Sequence, residues 1–509
     1  MEATVSKADY DAQKRENERL KSENELLRRA LFGPRTERRS AIDIPEQMAL
    51  WGEAVEGTTK PETEQAPRVT SVKPKKKHPG RIKRSGDLPV EEVTLEPTED
   101  VTNLVRIGEE VTEILVRQPE RMFIRRIIRP KYAKPRPDGS TTVLVAELPE
   151  RPLPKSYAHV SLLAFIFVAK FVDHMPFYRQ IKALERRHSV IIPKSTLNDW
   201  YAACCRLLEP LYQALRRSIL ETDYVQGDET TIPVLTLEEN KKEHSKRKKK
   251  QNVKRKNTHL GYMWVLNNPM LGLVLFNYYP GRSSKALFEL LPDFNGLLQC
   301  DGYTCYGTYA KGRRVELVSC LAHIRRKFFD ARSNDAARAG YALQQIGLLY
   351  QIEQIAREEK MSAIERVRLR KAMAAPIYYR FLEWVREEQA NNLSLGNIGK
   401  ALLYAKNQLP QLEHYLRDGR VEIDNNLIEN AIRPVALGRK NYLFAGSHQA
   451  AQWHAMMYSF FASCKVNGVD PQAWLEDVLA RISGHSMLRL EELLPAQWKE
   501  AKTAAKPAD

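Results

Sequence analysis

The feature that most constrains this chain is a change of period after Leu220. "DYVQGDETTIPVL" reads as a strand carrying Asp228, and "HLGYMWVLNN" and "LGLVLFNYY" read as two more apolar strands joined by a tight Asn-Asn-Pro turn. Three consecutive antiparallel strands are therefore expected. A helix, "SSKALFELLPDF", leads into "GLLQCDGYTCYG", an apolar run that ends at Asp301, and "RRVELVSCLAHIRRKFFDAR" supplies a fifth strand and a helix. A central strand with one acid beside a parallel strand ending in another can bring two carboxylates to one cation.

Glu429 is the natural third acid. It lies in "DNNLIENAI", a helix that Asp424 or Asn425 could cap, with Asn426 at i−3 and Arg433 at i+4 on its face. Hard divalent ions prefer oxygen ligands, and two such ions about 4 Å apart can serve both the attacking and the leaving oxygen of a phosphodiester. A lone glutamate ahead of Arg433, Arg439 and Lys440 would hold metal where those cations hold phosphate. Any one of these acids alone is more simply a turn, cap or strand-end residue; the argument rests on their joint placement.

The flanks point to a polyanion. The chain has 509 residues, so two to four domains are expected, and 80 Lys and Arg against 63 Asp and Glu leave a formal charge of +17. Residues 8–32 carry Asn17, Leu20, Asn24, Leu27 and Leu31 at coiled-coil spacing, which predicts a dimerisation helix. Residues 34–87 read as a linker, and its "KPKKKHPGRIKRSG" offers Lys75, Lys76, Lys77 and Arg81 to DNA. Residues 88–150 read as a small module of short strands. Residues 156–220 read as helical, with a helix-turn-helix in which Ser195 caps the second helix and Lys194, Ser195, Thr196 and Asn198 face DNA. Residues 221–335 and 421–447 form the expected catalytic core, interrupted by a helical insertion over 336–420, and residues 448–509 read as a helical C-terminal region. Lys248, Lys249 and Lys250 sit in a basic loop, "LTLEENKKEHSKRKKKQNVKRKN", between the first two core strands, where self-repulsion favours an extended segment that meets DNA. Six cysteines without a CxxC pair argue against a disulfide scaffold. No secretory signal is legible, and the apolar run from Val160 is too short for a membrane span, so a soluble cytoplasmic, nucleoid-associated protein is expected.

"GDETTIPVL", "LQCDGYTCYG", "CLAHIRRKFFDA" and "NNLIENAIRPVALGRKNYLFAGS" together resemble the signature of the insertion-sequence-66 family of transposases, in order from about residue 15 to about 490. The resemblance implies a multidomain α+β protein with an RNase H-like α/β catalytic domain and an Asp-Asp-Glu triad on Asp228, Asp301 and Glu429. It implies a DNA transposase of a bacterial insertion sequence that binds terminal inverted repeats, cleaves DNA 3′ ends and transfers strands into target DNA with two Mg²⁺ ions, or Mn²⁺ in their place. A homodimer or larger assembly and family accessory proteins are implied as partners, and no membrane. His323, Arg326, Lys327, Arg433, Arg439 and Lys440 are assigned to phosphate, and Gly438 and Gly446 to turns or close backbone approach. Where family members carry a small cysteine zinc module this chain has "PTEDVTNLVRIGEE" and "KYAKPRPDG", so no zinc is expected there. Two alternatives stay open: an RNase H-like nuclease without strand transfer, and a catalytically silent DNA-binding regulator.

Overall fold

The computed structural model describes residues 89–97, 105–118, 121–135, 141–154, 156–235, 258–391 and 396–504. The expected coiled coil, the Lys75–Arg81 segment and the loop holding Lys248, Lys249 and Lys250 lie outside the described residues. Apart from Gly396, the described residues belong to one unit, made of Arg84–Leu393 and Asn397–Asp509.

The first sheet pairs β1 (Val90–Thr94), β2 (Val105–Gln118), β3 (Arg121–Pro135) and β4 (Thr141–Val145), with β3 central. Sequence reading expects short strands here. Instead β2 and β3 are a hairpin of 14 and 15 residues whose register runs from Gln118↔Arg121 to Val105↔Ala133. Its length has two sources. Ile114, Val116, Phe123 and Ile127 make an apolar strip on one face, continued by the Arg129–Glu110 pair, and Arg126 pairs with Glu113 on the other.

Three helices follow: α1 (Val160–Phe171), α2 (Phe177–His188) and α3 (Lys194–Leu220). α1 is apolar almost all round and buried; α2 buries only Gln180 and Leu184. Ser189, at φ 53°, ends α2 in the left-handed region. The expected Ser195 cap is corrected by the structure. Pro193 occupies the N-cap of α3 and Ser195 lies inside the first turn with no capping bond, because the fixed φ of proline already starts the helix two residues earlier than a Ser195 cap would.

The second sheet is built from β5 (Tyr224–Leu235), β6 (Thr258–Asn268), β7 (Leu273–Tyr279), β8 (Gly296–Gln299) and β9 (Val315–Val318), in the order β7-β6-β5-β8-β9. β5, β6 and β7 run antiparallel, while β8 pairs parallel with both β5 and β9. α4 (Ser284–Leu290), α5 (Thr304–Ala310) and α6 (Leu321–Ala331) connect and flank these strands. Between α6 and the helix that carries Glu429 the chain forms α7 (Ala336–Glu358), α8 (Ala363–Leu369), a π-helical turn (Arg370–Ala374), α9 (Ala375–Asn391), α10 (Asn397–Leu412) and α11 (His414–Arg417). It then enters α12 (Asn426–Tyr442), α13 (His448–Val466), α14 (Pro471–Arg481), a 3₁₀ turn (Met487–Leu493) and α15 (Pro495–Ala504).

α13 lies along the edge strand β7. Ser463 Oγ accepts from the Val274 N–H at 3.0 Å and Ser459 Oγ from that of Phe276 at 2.8 Å, so the open edge is satisfied by side chains rather than left to pair with another strand. The helices from α7 to α11 build their own core against Tyr224, Val318 and Leu321. At its centre Arg370 and Glu353 are both wholly buried and paired through two hydrogen bonds at 2.8 Å, while Arg370 also donates to the carbonyls of Tyr415 and Asp418.

Removing one partner of such a pair strands the other charge. Arg370→Met is expected to lower unfolding free energy by about 3–5 kcal/mol, and Arg370→Met with Glu353→Leu to recover most of it, in urea denaturation. Equal losses for the single and double variants would contradict this.

Candidate active site

The register of β5 on β8 sets the site. Tyr224, Val225 and Gln226 pair with Leu297, Leu298 and Gln299, so two residues further along each chain stand Asp228 and Asp301. β8 ends at Gln299 while β5 continues, which leaves Asp228 half-buried at the end of its shorter neighbour. Asp228 Oδ1 accepts from the Glu229 N–H at 2.7 Å, and Asp301 Oδ1 from the Tyr303 N–H at 3.0 Å. Each carboxylate is thus oriented by its own turn of backbone.

Glu429 arrives from far along the chain, and a buried polar network brings it. Tyr224 Oη and Gln226 Nε2 donate to Gln299 Oε1 at 2.7 and 3.0 Å, Asn267 Nδ2 donates to Gln226 Oε1 at 2.7 Å, and Gln299 Nε2 donates to the Glu422 carbonyl at 2.7 Å. Gln226 Nε2 reaches the Asp424 carbonyl at 3.3 Å, and Asn425 Nδ2 donates to the Gly227 carbonyl at 3.2 Å, one residue before Asp228. α12 starts immediately afterwards, with Glu429 in its first turn. Of the two expected caps, Asp424 does the work: its Oδ1 accepts from the Asn426 N–H at 3.0 Å and its Oδ2 from Tyr350 Oη at 2.9 Å. Asn425 holds the N-cap position, but its side chain is committed to β5.

The electrostatics put the three acids in one field. Burial, and then the charges of Glu229, Asp301 and Glu429, push the Asp228 carboxyl up to about 8, against a relieving hydrogen bond from the Glu229 N–H. Burial also raises Glu229, with Arg282 opposing it. Among the described residues no group of three His, Cys, Asp or Glu side chains is arranged as it stands to hold a metal ion. The donor set nevertheless fits a hard divalent cation: all three groups are carboxylates, and their mutual repulsion is what a bound cation would reverse.

Sequence reading passed over a second layer. Glu229, almost wholly buried, is paired with Arg282 and accepts from Tyr306 Oη at 3.1 Å, and the Arg282 guanidinium lies 3.9 Å from the centroid of the Tyr303 ring. The signal was present as a second acid beside Asp228 and an arginine after β7, but the pairing spans 53 residues and no local pattern reveals it.

The expected phosphate contacts divide. Arg326, Lys327 and Lys440 are exposed, Arg433 and His323 half-buried, and His323 Nδ1 has no hydrogen-bond partner among the described residues. Arg439 Nη1 is used internally, donating to the Thr231 carbonyl at 2.7 Å and to Thr231 Oγ1 at 2.8 Å, which ties α12 to β5. Lys194, Ser195 and Asn198 are exposed and Thr196 half-buried at the start of α3, with no hydrogen bond or ion pair to the acids among the described residues. A Cβ on Gly438 would stand 2.4 Å from Tyr458 Oη, so that glycine permits close packing; Gly446 has open space around it and nothing there requires glycine. All six cysteines are free and buried.

Acids gathered in a basic chain fit a protein that works on nucleic acid. Residues 155–453 match the family model described as Transposase IS66 family, residues 459–496 the IS66 C-terminal element, and residues 19–93 the model described as Transposase C of IS166 homeodomain. The chain belongs to the IS66 family of transposases. It is similar to three uncharacterized proteins of Sinorhizobium fredii (strain NBRC 101917 / NGR234). With y4jD it is 34% identical over 419 residues, covering 78% of this chain and 76% of the relative. With y4qI it is 31% identical over 511 residues, covering 96% and 90%, and with y4hP 29% over 513 residues, covering 94% and 88%. A transposase role implies DNA as partner, and no helix among the described residues is long and apolar enough to cross a membrane.

The raised Asp228 pKa has a sign that can be tested. A carboxyl held above its ordinary 3.8 favours the folded state when protonated, so that stability is present below the ordinary value and is lost as pH rises through about 8. In chelator, Asp228→Asn is therefore expected to be more stable than the wild type at pH 9 and equal to it near pH 4, by urea denaturation. A gap that ignores pH would contradict the assignment.

Proposed function

We propose that this transposase is a metal-dependent Asp-Asp-Glu polynucleotidyl transferase with an RNase H-like core, which cleaves the 3′ ends of terminal inverted repeats and joins them to target DNA. The observation that carries the reading is the joint placement of Asp228, Asp301 and Glu429 by the β5–β8 register and the Asn425–Gly227 bond. The sheet order supports the RNase H-like assignment: three antiparallel strands, then two parallel ones added beside the first, with acids at the first and fourth.

Asp228, Asp301 and Glu429 would hold two Mg²⁺ or Mn²⁺ ions. When bound, such ions lower the pKa of an attacking water or 3′-hydroxyl and stabilise the leaving oxygen. The chain's own residues do the rest. Asp424 and Asn425 fix the start of α12 so that Glu429 cannot drift from β5. Arg439 clamps the same helix nearly three turns further on. Arg282, held by Glu229 and Tyr303, keeps a positive charge beside Asp301. Arg326, Lys327, Arg433 and Lys440 would position phosphates. Two element ends must be joined in one event, so the protein would work as a dimer or larger assembly, with the coiled coil expected over residues 8–32, outside the described residues, as the proposed contact.

In a strand-transfer assay with an oligonucleotide ending in the element's terminal repeat, supercoiled plasmid and Mg²⁺, the intact protein is expected to give joined products. Glu429→Gln is expected to reduce them by at least about 1000-fold, the scale seen when one member of a catalytic unit is lost. Nicking without joining would replace this reading by a nuclease. DNA binding with neither product, even with family accessory proteins present, would replace it by a silent regulator.

A further inference from the structure

We propose that a basic groove along α2 binds the phosphate backbone of duplex DNA and leads it towards the acid cluster. This rests on the transposase reading and goes beyond it in naming the surface. α2 turns Gln180 and Leu184 inward and leaves Tyr178, Arg179, Lys182, Arg186 and Arg187 exposed. One flank of the helix is a cavity of about 300 Å³ lined by Arg117 and Arg121 of the β2–β3 hairpin together with Arg187 and His188. The other flank, of about 380 Å³, is lined by Arg179, Lys182, Arg186 and Arg187 with Asn441. The two share Met175, Ala183 and Arg187, so they are neighbouring parts of one depression.

Two separate stretches of chain, the β2–β3 hairpin and α2, thus bring cations to one surface. The nearby acids do not cancel them. Glu185 pairs with Lys182 at 2.8 Å, Asp173 lines the second cavity and Glu476 acts on Arg117, whereas Arg186 and Arg187 have no carboxylate partner among the described residues. Arg186 and Arg187, exposed on a concave surface beside the further cations of its lining, can meet neighbouring phosphates. Duplex is favoured over single strand because Tyr178 is the one exposed aromatic in the lining, and single-strand binders need a succession of stacking rings.

The groove is also tied to the site. Arg179 Nη1 donates to Asn441 Oδ1 at 3.2 Å, and Asn441 is in the last turn of the helix whose first turn carries Glu429. That run of helix is about 18 Å long, roughly five base pairs of duplex. Lys440, exposed beside Asn441, extends the same positive path. Sequence reading placed the DNA contacts of this region on the second helix, because only folding brings the hairpin arginines and the end of α12 to the first.

The test is duplex binding by the full-length protein, read by fluorescence anisotropy on a 30-base-pair DNA of arbitrary sequence across NaCl concentrations. Each phosphate contact contributes a slope of about −0.9 to log affinity against log salt, so Arg186→Ala/Arg187→Ala is expected to make the slope shallower by about 1.8. Arg380→Ala/Arg386→Ala, an exposed pair on α9 with the same charge change, is expected to leave it unchanged. Unchanged melting temperatures exclude misfolding as the cause. An unaltered slope in the α2 variant, an equal change in the control, no duplex binding by the intact protein, or tighter binding of single-stranded RNA would each overturn the proposal. Strand transfer is measured alongside: an intact protein that binds through the groove but joins nothing removes the transferase reading and leaves the groove standing.

Discussion

The fold around the acids depends on one small set of buried amides. Gln226 and Gln299 sit side by side on parallel strands with no exposed surface, and each must find partners or cost the protein the full penalty of an unsatisfied polar group. They find them in Tyr224, Asn267 and the carbonyls of Glu422 and Asp424. Those carbonyls belong to the segment that opens α12. The same bonds that satisfy the centre of the sheet therefore set where Glu429 begins, and a change to either glutamine would loosen the site without touching an acid.

The helical stretch between α6 and α12 is fastened at both ends of this segment. Arg420 bridges Asp418 and Asp223, the residue just ahead of β5, while Arg366 and Arg357 pair with Glu422. Tyr350, from α7, donates to Asp424. Arg370 in the π turn holds the carbonyl of Asp418 from inside the helical core. A long excursion in sequence thereby returns to β5 at a defined point. That is how an acid so distant in the chain can share an electrostatic field with Asp228. The more exposed pairs of this set contribute little individually, so the better-buried Arg366–Glu422 pair, the Arg370 bond to the Asp418 carbonyl and the Tyr350–Asp424 bond are the main points of attachment.

Much of this was legible in the sequence because it is local. The apolar runs at 224–235, 258–268 and 273–279, the turn after Asn268 and the helix around Glu429 each follow from period and turn chemistry. Asp228 and Asp301 stand out only together, as acids on and just after two apolar strands that the sequence order brings side by side. The features that were not legible depend on distant partners. Nothing near Gln226 or Gln299 announces that they bind each other and the segment before α12, and Arg439 resembles a phosphate contact until its bonds to Thr231 are known. Ser195 resembles a cap by type, yet the proline two residues earlier decides the helix start. The length of the β2–β3 hairpin comes from cross-strand ion pairs and a shared apolar strip that alternation alone does not weigh.

The central claim is that Asp228, Asp301 and Glu429 form one cation site, and localised cleavage tests it most directly. Fe²⁺ would replace Mg²⁺ in the full-length protein, ascorbate and peroxide would generate hydroxyl radicals at the bound ion, and the peptide fragments would be mapped. Cuts clustered near residues 228, 301 and 429, competed away by Mg²⁺ and lost together in Asp301→Asn, are the predicted result. Cuts elsewhere, or cuts at one acid that survive loss of the others, would contradict it.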